Sequence, residues 1–130
     1  MLMQWIDIVA AISAARHAQG PAVTASMDRL HFLRPVKLGE IVVLQAQVNF
    51  AARTSMEVGV RVFVDDPRTR ERTQATRAYL TFVAVDEKGQ PRPVHPLVAE
   101  SAEDRRRFAD AAKRRTVRLR ERRAIANAHG

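Results

Sequence analysis

The strongest constraint on this chain is the run from Met56 to Asp65, where Met56, Val58, Val60, Val62 and Val64 alternate with Glu57, Gly59, Arg61, Phe63 and Asp65. A strict period of two, with β-branched residues on one side, describes a strand with one buried face. Two neighbouring segments read the same way. Ile41 to Phe50 puts Val42, Leu44, Ala46, Val48 and Phe50 on one face, with Gln45, Gln47 and Asn49 on the other; Gln74 to Val85 puts Ala78, Leu80, Phe82 and Ala84 on one face. The connections Ala51 to Thr54 and Asp66 to Arg70 are far too short for a parallel crossover, so these strands pair antiparallel. Val23 to Met27 reads as a further strand, prolonged by Asp28 to Leu33 toward Pro35.

A sheet with one apolar face needs a second layer. Residues 2–18 supply it: they contain no Gly or Pro, are rich in Ala, Leu and Ile, and run into Gly20-Pro21, a helix stop. Around this helix the polar residues split, with Gln4 and Asp7 on one side and Ser13, Arg16 and His17 on the other, a pattern that predicts an enclosed helix. Beside Asp7 on the helical wheel lie Ala11, Ala14 and Ala18, a strip of small residues open to a close neighbour. The expected architecture is α+β, a curved antiparallel sheet wrapped around one long apolar helix. Residues 1–96 form this domain. Residues 97–130 form a basic helical tail whose thin apolar stripe, Val98, Phe108, Ala111, Ala112 and Leu119, predicts an exposed or partner-bound helix.

Composition narrows the function. The absence of cysteine removes disulfide scaffolds, thiolate metal sites and cysteine nucleophiles together. The longest apolar run, Ile8 to Ile12, falls far short of the roughly 20 residues of a membrane span, and the N-terminus has neither the basic flank nor the uninterrupted apolar stretch of a secretory signal. A cytoplasmic protein without membrane contact is expected. The formal charge of +8 is uneven: residues 1–96 hold 12 basic and 9 acidic groups, residues 97–130 hold 10 and 5. The basic runs Arg105-Arg106-Arg107 and Lys113-Arg114-Arg115 lack interleaved aromatics and read as a solvated helix face, so nucleic-acid binding by the tail ranks last among the functions considered.

Asp7 is the sharpest chemical candidate, because a carboxylate in an apolar helix loses hydration that only a specific partner or a ligand site restores. The alternative is that it reaches water while favouring the positive end of the helix. The four histidines, His17, His31, His95 and His129, lack metal-ligand spacing, so no metal is expected; His17 reads as a helix-end partner. Ser26 and Ser55 lack nucleophile-elbow context. Arg53-Thr54-Ser55, at a strand-to-strand connection, offers a cation, two hydroxyls and turn amides, a set that suits a phosphate or a pantetheine amide and also suits an ordinary polar turn.

In collinear order, the helix, Val23-Thr24-Ala25-Ser26-Met27-Asp28, Phe32-Leu33-Arg34-Pro35-Val36, Leu38-Gly39-Glu40, Arg53-Thr54-Ser55-Met56-Glu57-Val58 and Thr81-Phe82-Val83-Ala84-Val85-Asp86 resemble the hotdog-fold acyl-CoA thioesterases, nearest to the YciA and brain-type cytosolic acyl-CoA hydrolase family. The resemblance covers roughly residues 1–96. It implies that Asp7, closing Leu2-Met3-Gln4-Trp5-Ile6-Asp7, is the catalytic acid, acting as general base on water or as nucleophile through a mixed anhydride. It further implies that Arg53, Thr54 and Ser55 lie near the CoA moiety, that CoA enters only as part of the substrate with no other cofactor, and that the chain assembles as a homodimer or homohexamer. The family's N-terminal strand, an assisting Asn and a Gly-Gly pair have no counterpart in this chain, and the expectation is that the natural start lies upstream of Met1. The competing reading is a non-catalytic or weakly active hotdog protein that binds CoA esters or serves assembly.

Overall fold

The computed structural model describes residues 2–28, 30–98 and 100–129, with side chains through Ala124. The element order is α1 (Leu2–Ala18), β1 (Ala22–Met27), β2 (His31–Phe32), β3 (Ile41–Ala51), β4 (Ser55–Asp65), β5 (Arg72–Ala84) and α2 (Ala102–His129). All pairings are antiparallel, in the order β1-β5-β4-β3, with the short β2 continuing the β1 side of β5. The expected single strand from Val23 onward is thus two pieces on one edge; Arg29, between them, lies outside the described residues.

α1 ends as the sequence requires. Gln19 takes a left-handed φ of 57° and the Gly20 amide donates to the Ala15 carbonyl at 3.2 Å, closing the last turn in a Schellman arrangement. The Arg92 guanidinium donates to the Ala18 carbonyl at 2.8 Å and occupies the space a Cβ on Gly20 would need. His17 donates through Nε2 to the His95 carbonyl at 2.8 Å, so its role is to tie down the helix end.

The helix meets the sheet through Ile6, Ala10, Ala14 and Ala18, an i, i+4 stripe that is completely buried against Met56, Val58, Val60, Leu80 and Phe82. The small residues beside Asp7 are therefore part of the seat on the sheet, where three alanines let helix and strands approach closely. Enclosure goes no further in one protomer. Trp5, Ile8 and Ile12 are left exposed on the opposite side of α1, because one five-stranded sheet covers one helix face.

The other face of the sheet carries α2, which corrects the expectation of a solvated tail helix. Ala111 is fully buried, and the Phe108 ring lies 4.8 Å from that of Phe50. Phe50 is on this face, not beside Val48 as strict alternation requires, because β3 bulges between Val48 and Phe50 and inverts the facing of the residues beyond the bulge. Beneath α2, Glu57 is fully buried and accepts two hydrogen bonds from Arg114, at 2.6 and 2.9 Å, with Arg118 and the Asn49 amide each at 3.3 Å. Arg118 also reaches Asp28 at 2.7 Å, and the Arg114 guanidinium stacks 3.8 Å from the centre of the Tyr79 ring. Burial opposes the charge on Arg114, but its bonds to Glu57 outweigh that and hold its pKa above the ordinary value.

Gly59 is needed beside this cluster, since a Cβ there would stand 2.6 Å from Asn49 Nδ2. Gly59→Ala is expected to cost about 1–3 kcal/mol by overpacking. Chemical denaturation should show that adding Asn49→Ala recovers part of that loss; a double variant weaker than the sum of the single changes removes this contact as the cause.

Two ion pairs at the far end of the sheet set an acid response. The main-chain amide of Lys37 and the Arg34 guanidinium hold the Glu40 carboxyl below the usual range, and Arg72, donating to both Asp65 oxygens at 2.7 and 2.9 Å, does the same for Asp65. A depressed carboxylate stabilises the fold above its unfolded-state pKa, and that stabilisation is lost as pH falls through the lower folded-state value. Arg72→Gln should therefore melt below the wild type at neutral pH, with the gap closing below the carboxylate range. A gap independent of pH in melting curves would assign the effect to packing.

Candidate active site

Asp7 sits in the second turn of α1, half-buried, where the helix passes over β1. Its Oδ1 accepts the Thr24 hydroxyl at 2.9 Å; among the described residues Oδ2 has no protein donor. The lost hydration of Asp7 is thus restored at one oxygen by one neutral hydroxyl, leaving a carboxylate with one held and one free oxygen. Thr24 faces α1 because it pairs with the core residue Phe82, and β1 bulges directly after it, between Thr24 and Ser26.

The turn between β3 and β4 holds the other expected residues. Arg53 is exposed, Thr54 and Ser55 are half-buried, and their side chains make no hydrogen bonds within the described chain. Their backbone carbonyls are occupied: Arg53 accepts from the Val94 amide at 2.9 Å, Thr54 from Ala84 at 2.9 Å, and Ser55 from Ala52 at 2.8 Å. The turn is therefore pinned with its side chains unengaged.

Register brings the two groups to one end of the sheet. Ser55 pairs with Val83 and Val83 with Val23, while in the next row Met56 pairs with Phe82 and Phe82 with Thr24. The Arg53–Ser55 turn thus lies two strand spacings, about 10 Å, from the strand position of Thr24. Nothing in the local sequence marks Thr24. Its link to Asp7 spans 17 positions and exists only because β1 folds back under α1.

The site also sits at an open boundary. β1 is the edge strand on this side, and the exposed Trp5, Ile8 and Val23 lie close to Asp7 and Thr24 in sequence on the same two elements. Apolar residues beside an unpaired edge form a surface suited to a further protein layer.

This arrangement, a helix seated in an antiparallel sheet with an acid aimed at the strand edge, has counterparts among known proteins. A sequence profile described as "Thioesterase superfamily" matches residues 1–71. The uncharacterized acyl-CoA thioester hydrolase YkhA of Bacillus subtilis is 42% identical, over 99% of this chain and 77% of its own length. A crystal structure of a hexameric acyl-CoA thioesterase superimposes with a TM-score of 0.88 at 38% identity, covering 92% of this chain and 77% of the other. An acyl-CoA hydrolase from Staphylococcus aureus, in complex with butyryl coenzyme A, coenzyme A and coenzyme A disulfide, has a TM-score of 0.84 at 35% identity, covering 99% and 81%. That enzyme has also been solved with an asparagine, an aspartate or a threonine replaced by alanine; its aspartate and threonine stand 17 positions apart. The chain belongs to the thioesterase superfamily, with the hotdog architecture of the acyl-CoA thioesterases.

Proposed function

We propose that this chain hydrolyses acyl-CoA thioesters to a carboxylic acid and CoA, with Asp7 as the acting carboxylate and Thr24 as its positioning partner. The observation that carries the assignment is the Thr24–Asp7 hydrogen bond, which reproduces within one chain the 17-residue separation of the aspartate and threonine replaced in the S. aureus hydrolase.

Thr24 fixes Oδ1 and leaves Oδ2 as the oxygen available to act. As a general base, Oδ2 takes a proton from water as the water oxygen bonds to the thioester carbon; the C–S bond then breaks and the thiolate leaves with a proton. As a nucleophile, Oδ2 itself bonds to the carbon, CoA departs, and water cleaves the resulting anhydride. Arg53, Thr54 and Ser55, with unengaged side chains at the same end of the sheet, supply a cation and two hydroxyls for the phosphates and amides of CoA. CoA arrives within the substrate, and the reaction as drawn uses no further cofactor.

The half-open site and the bare side of α1 support a homo-oligomer in which a second copy closes the acyl pocket. Several of the structural relatives are hexameric. A cytosolic setting is supported by the mouse cytosolic acyl coenzyme A thioester hydrolase, 33% identical over 86% of this chain. No helix among the described residues is long and apolar enough to cross a membrane.

The test is thiol release from acyl-CoA substrates of graded chain length by the purified chain. Turnover that depends on Asp7 sustains the proposal. Saturable binding of CoA esters without thiol release would favour the non-catalytic reading.

A further inference from the structure

On the outer face of the sheet, remote from α1, one row of residues crosses four strands. Gln45 of β3 pairs with Arg61 of β4, Arg61 with Arg77 of β5, and Arg77 with His31 of β2. Arg61 and Arg77 are thus directly opposite each other on adjacent strands, both exposed, and neither has an acidic partner among the described residues. Like charges in direct cross-strand register destabilise a sheet. Elsewhere on the sheet and α2, several arginines have a carboxylate partner: Arg114 with Glu57, Arg118 with Asp28, Arg34 with Glu40, Arg72 with Asp65.

The row borders a groove of about 570 Å³ between the sheet and α2, with Gly59 in its floor where a larger residue would fill it. The α2 wall brings Arg106 and Arg107, whose charge is answered by Glu103 and Asp104, and the acid Asp110 also lines the groove. Positive charge without a local counter-charge is therefore concentrated on the sheet wall. Two guanidinium forks side by side suit the several oxygens of a phosphate, and the volume is that of a small-molecule site. The carboxylates on the facing wall disfavour a long polyanion lying along α2.

We infer that this outer groove binds a phosphate-bearing small molecule through Arg61 and Arg77. The bound anion turns their mutual repulsion into a shared attraction and gives the unpaired register a function. The site lies on the opposite face of the sheet from the Asp7–Thr24 pair, so the inference stands apart from the thioesterase reading.

The experiment is calorimetric and thermal-shift titration of the full chain at physiological ionic strength, with inorganic pyrophosphate and, separately, ADP. Both should raise the melting temperature of the wild type. Arg61→Gln and Arg77→Gln should each weaken pyrophosphate binding about tenfold or more, the scale of one charge-assisted hydrogen bond. Without ligand, each variant should melt at or above the wild type because the repulsion is gone, which also shows that it folds. Tighter binding of ADP would identify a nucleotide as the natural source of the phosphates, and equal binding a free oligophosphate. The inference is overturned if the wild type does not respond, if both variants respond as it does, or if Arg53→Gln alone removes the response. It is also overturned if a single-stranded oligonucleotide binds in preference to either small anion.

Discussion

Asp7→Asn should lower acyl-CoA turnover about 100-fold or more, the scale on which a positioned general base or nucleophile acts. The amide keeps the volume and still accepts the Thr24 hydroxyl through its oxygen. It can neither take a proton from water nor form an anhydride. Binding of CoA esters and the melting temperature should stay near wild type, so the loss falls on kcat and spares KM. Thr24→Val supplies the companion result: with the hydroxyl removed, the carboxylate persists but its orientation is free, and a loss of about tenfold is expected, the cost of one hydrogen bond to a charged group. Single-turnover hydrolysis in ¹⁸O-labelled water separates the two chemical routes, since only the anhydride route deposits label in Asp7. Full activity in Asp7→Asn would remove this residue from the mechanism.

The second large effect lies on the other face of the sheet. Arg114→Ala withdraws both short hydrogen bonds from a carboxylate with no solvent access, leaving Glu57 with Arg118 and Asn49, each at 3.3 Å. Breaking a buried pair from one side costs about 3–5 kcal/mol. The lower end applies here because of those remaining partners, and a fall of about 10 °C in melting temperature is expected for a chain of this size. Lys113→Ala, an exposed change one residue away, should stay within about 0.5 kcal/mol. Replacing both members, Glu57→Leu with Arg114→Met, should recover at least half of the loss, because an apolar pair avoids desolvating either charge. If the double replacement is as unstable as Arg114→Ala, the cluster stabilises through packing of the arginine stem and its stacking on Tyr79.

This polar cluster is not legible in the sequence. Glu57 occupies the nominally solvent-facing set of the Met56–Asp65 alternation, and Arg114 lies in a basic run of a kind that is ordinarily solvated. Each assignment is sound locally, and each fails because α2 covers the outer face. A charged residue facing away from the first core still becomes buried when a second layer arrives, and composition carries no record of that layer. Phe50 departs from its expected side for a different local reason: one extra residue in β3 reverses the side of the sheet it faces, and a bulge has no period to detect.

Sequence alone determined α1, the three long strands and their consecutive antiparallel pairing, while the place of β1 and β2 beside β5 came from the folded chain. Period two with β-branched residues, short connections, and a glycine- and proline-free apolar helix leave one economical solution, an antiparallel sheet seated on a helix. Asp7 stood out as a candidate too, because an acid in such a helix contradicts its surroundings. The tertiary structure decided what depends on contacts between distant positions: that Thr24 holds Asp7, that the Arg53–Ser55 turn shares its end of the sheet, that α2 buries Glu57, and that Arg61 faces Arg77. Periodicity reports which side of an element meets an apolar neighbour, whereas hydrogen bonds and charge pairs depend on register to within an ångström, and only the folded chain sets that.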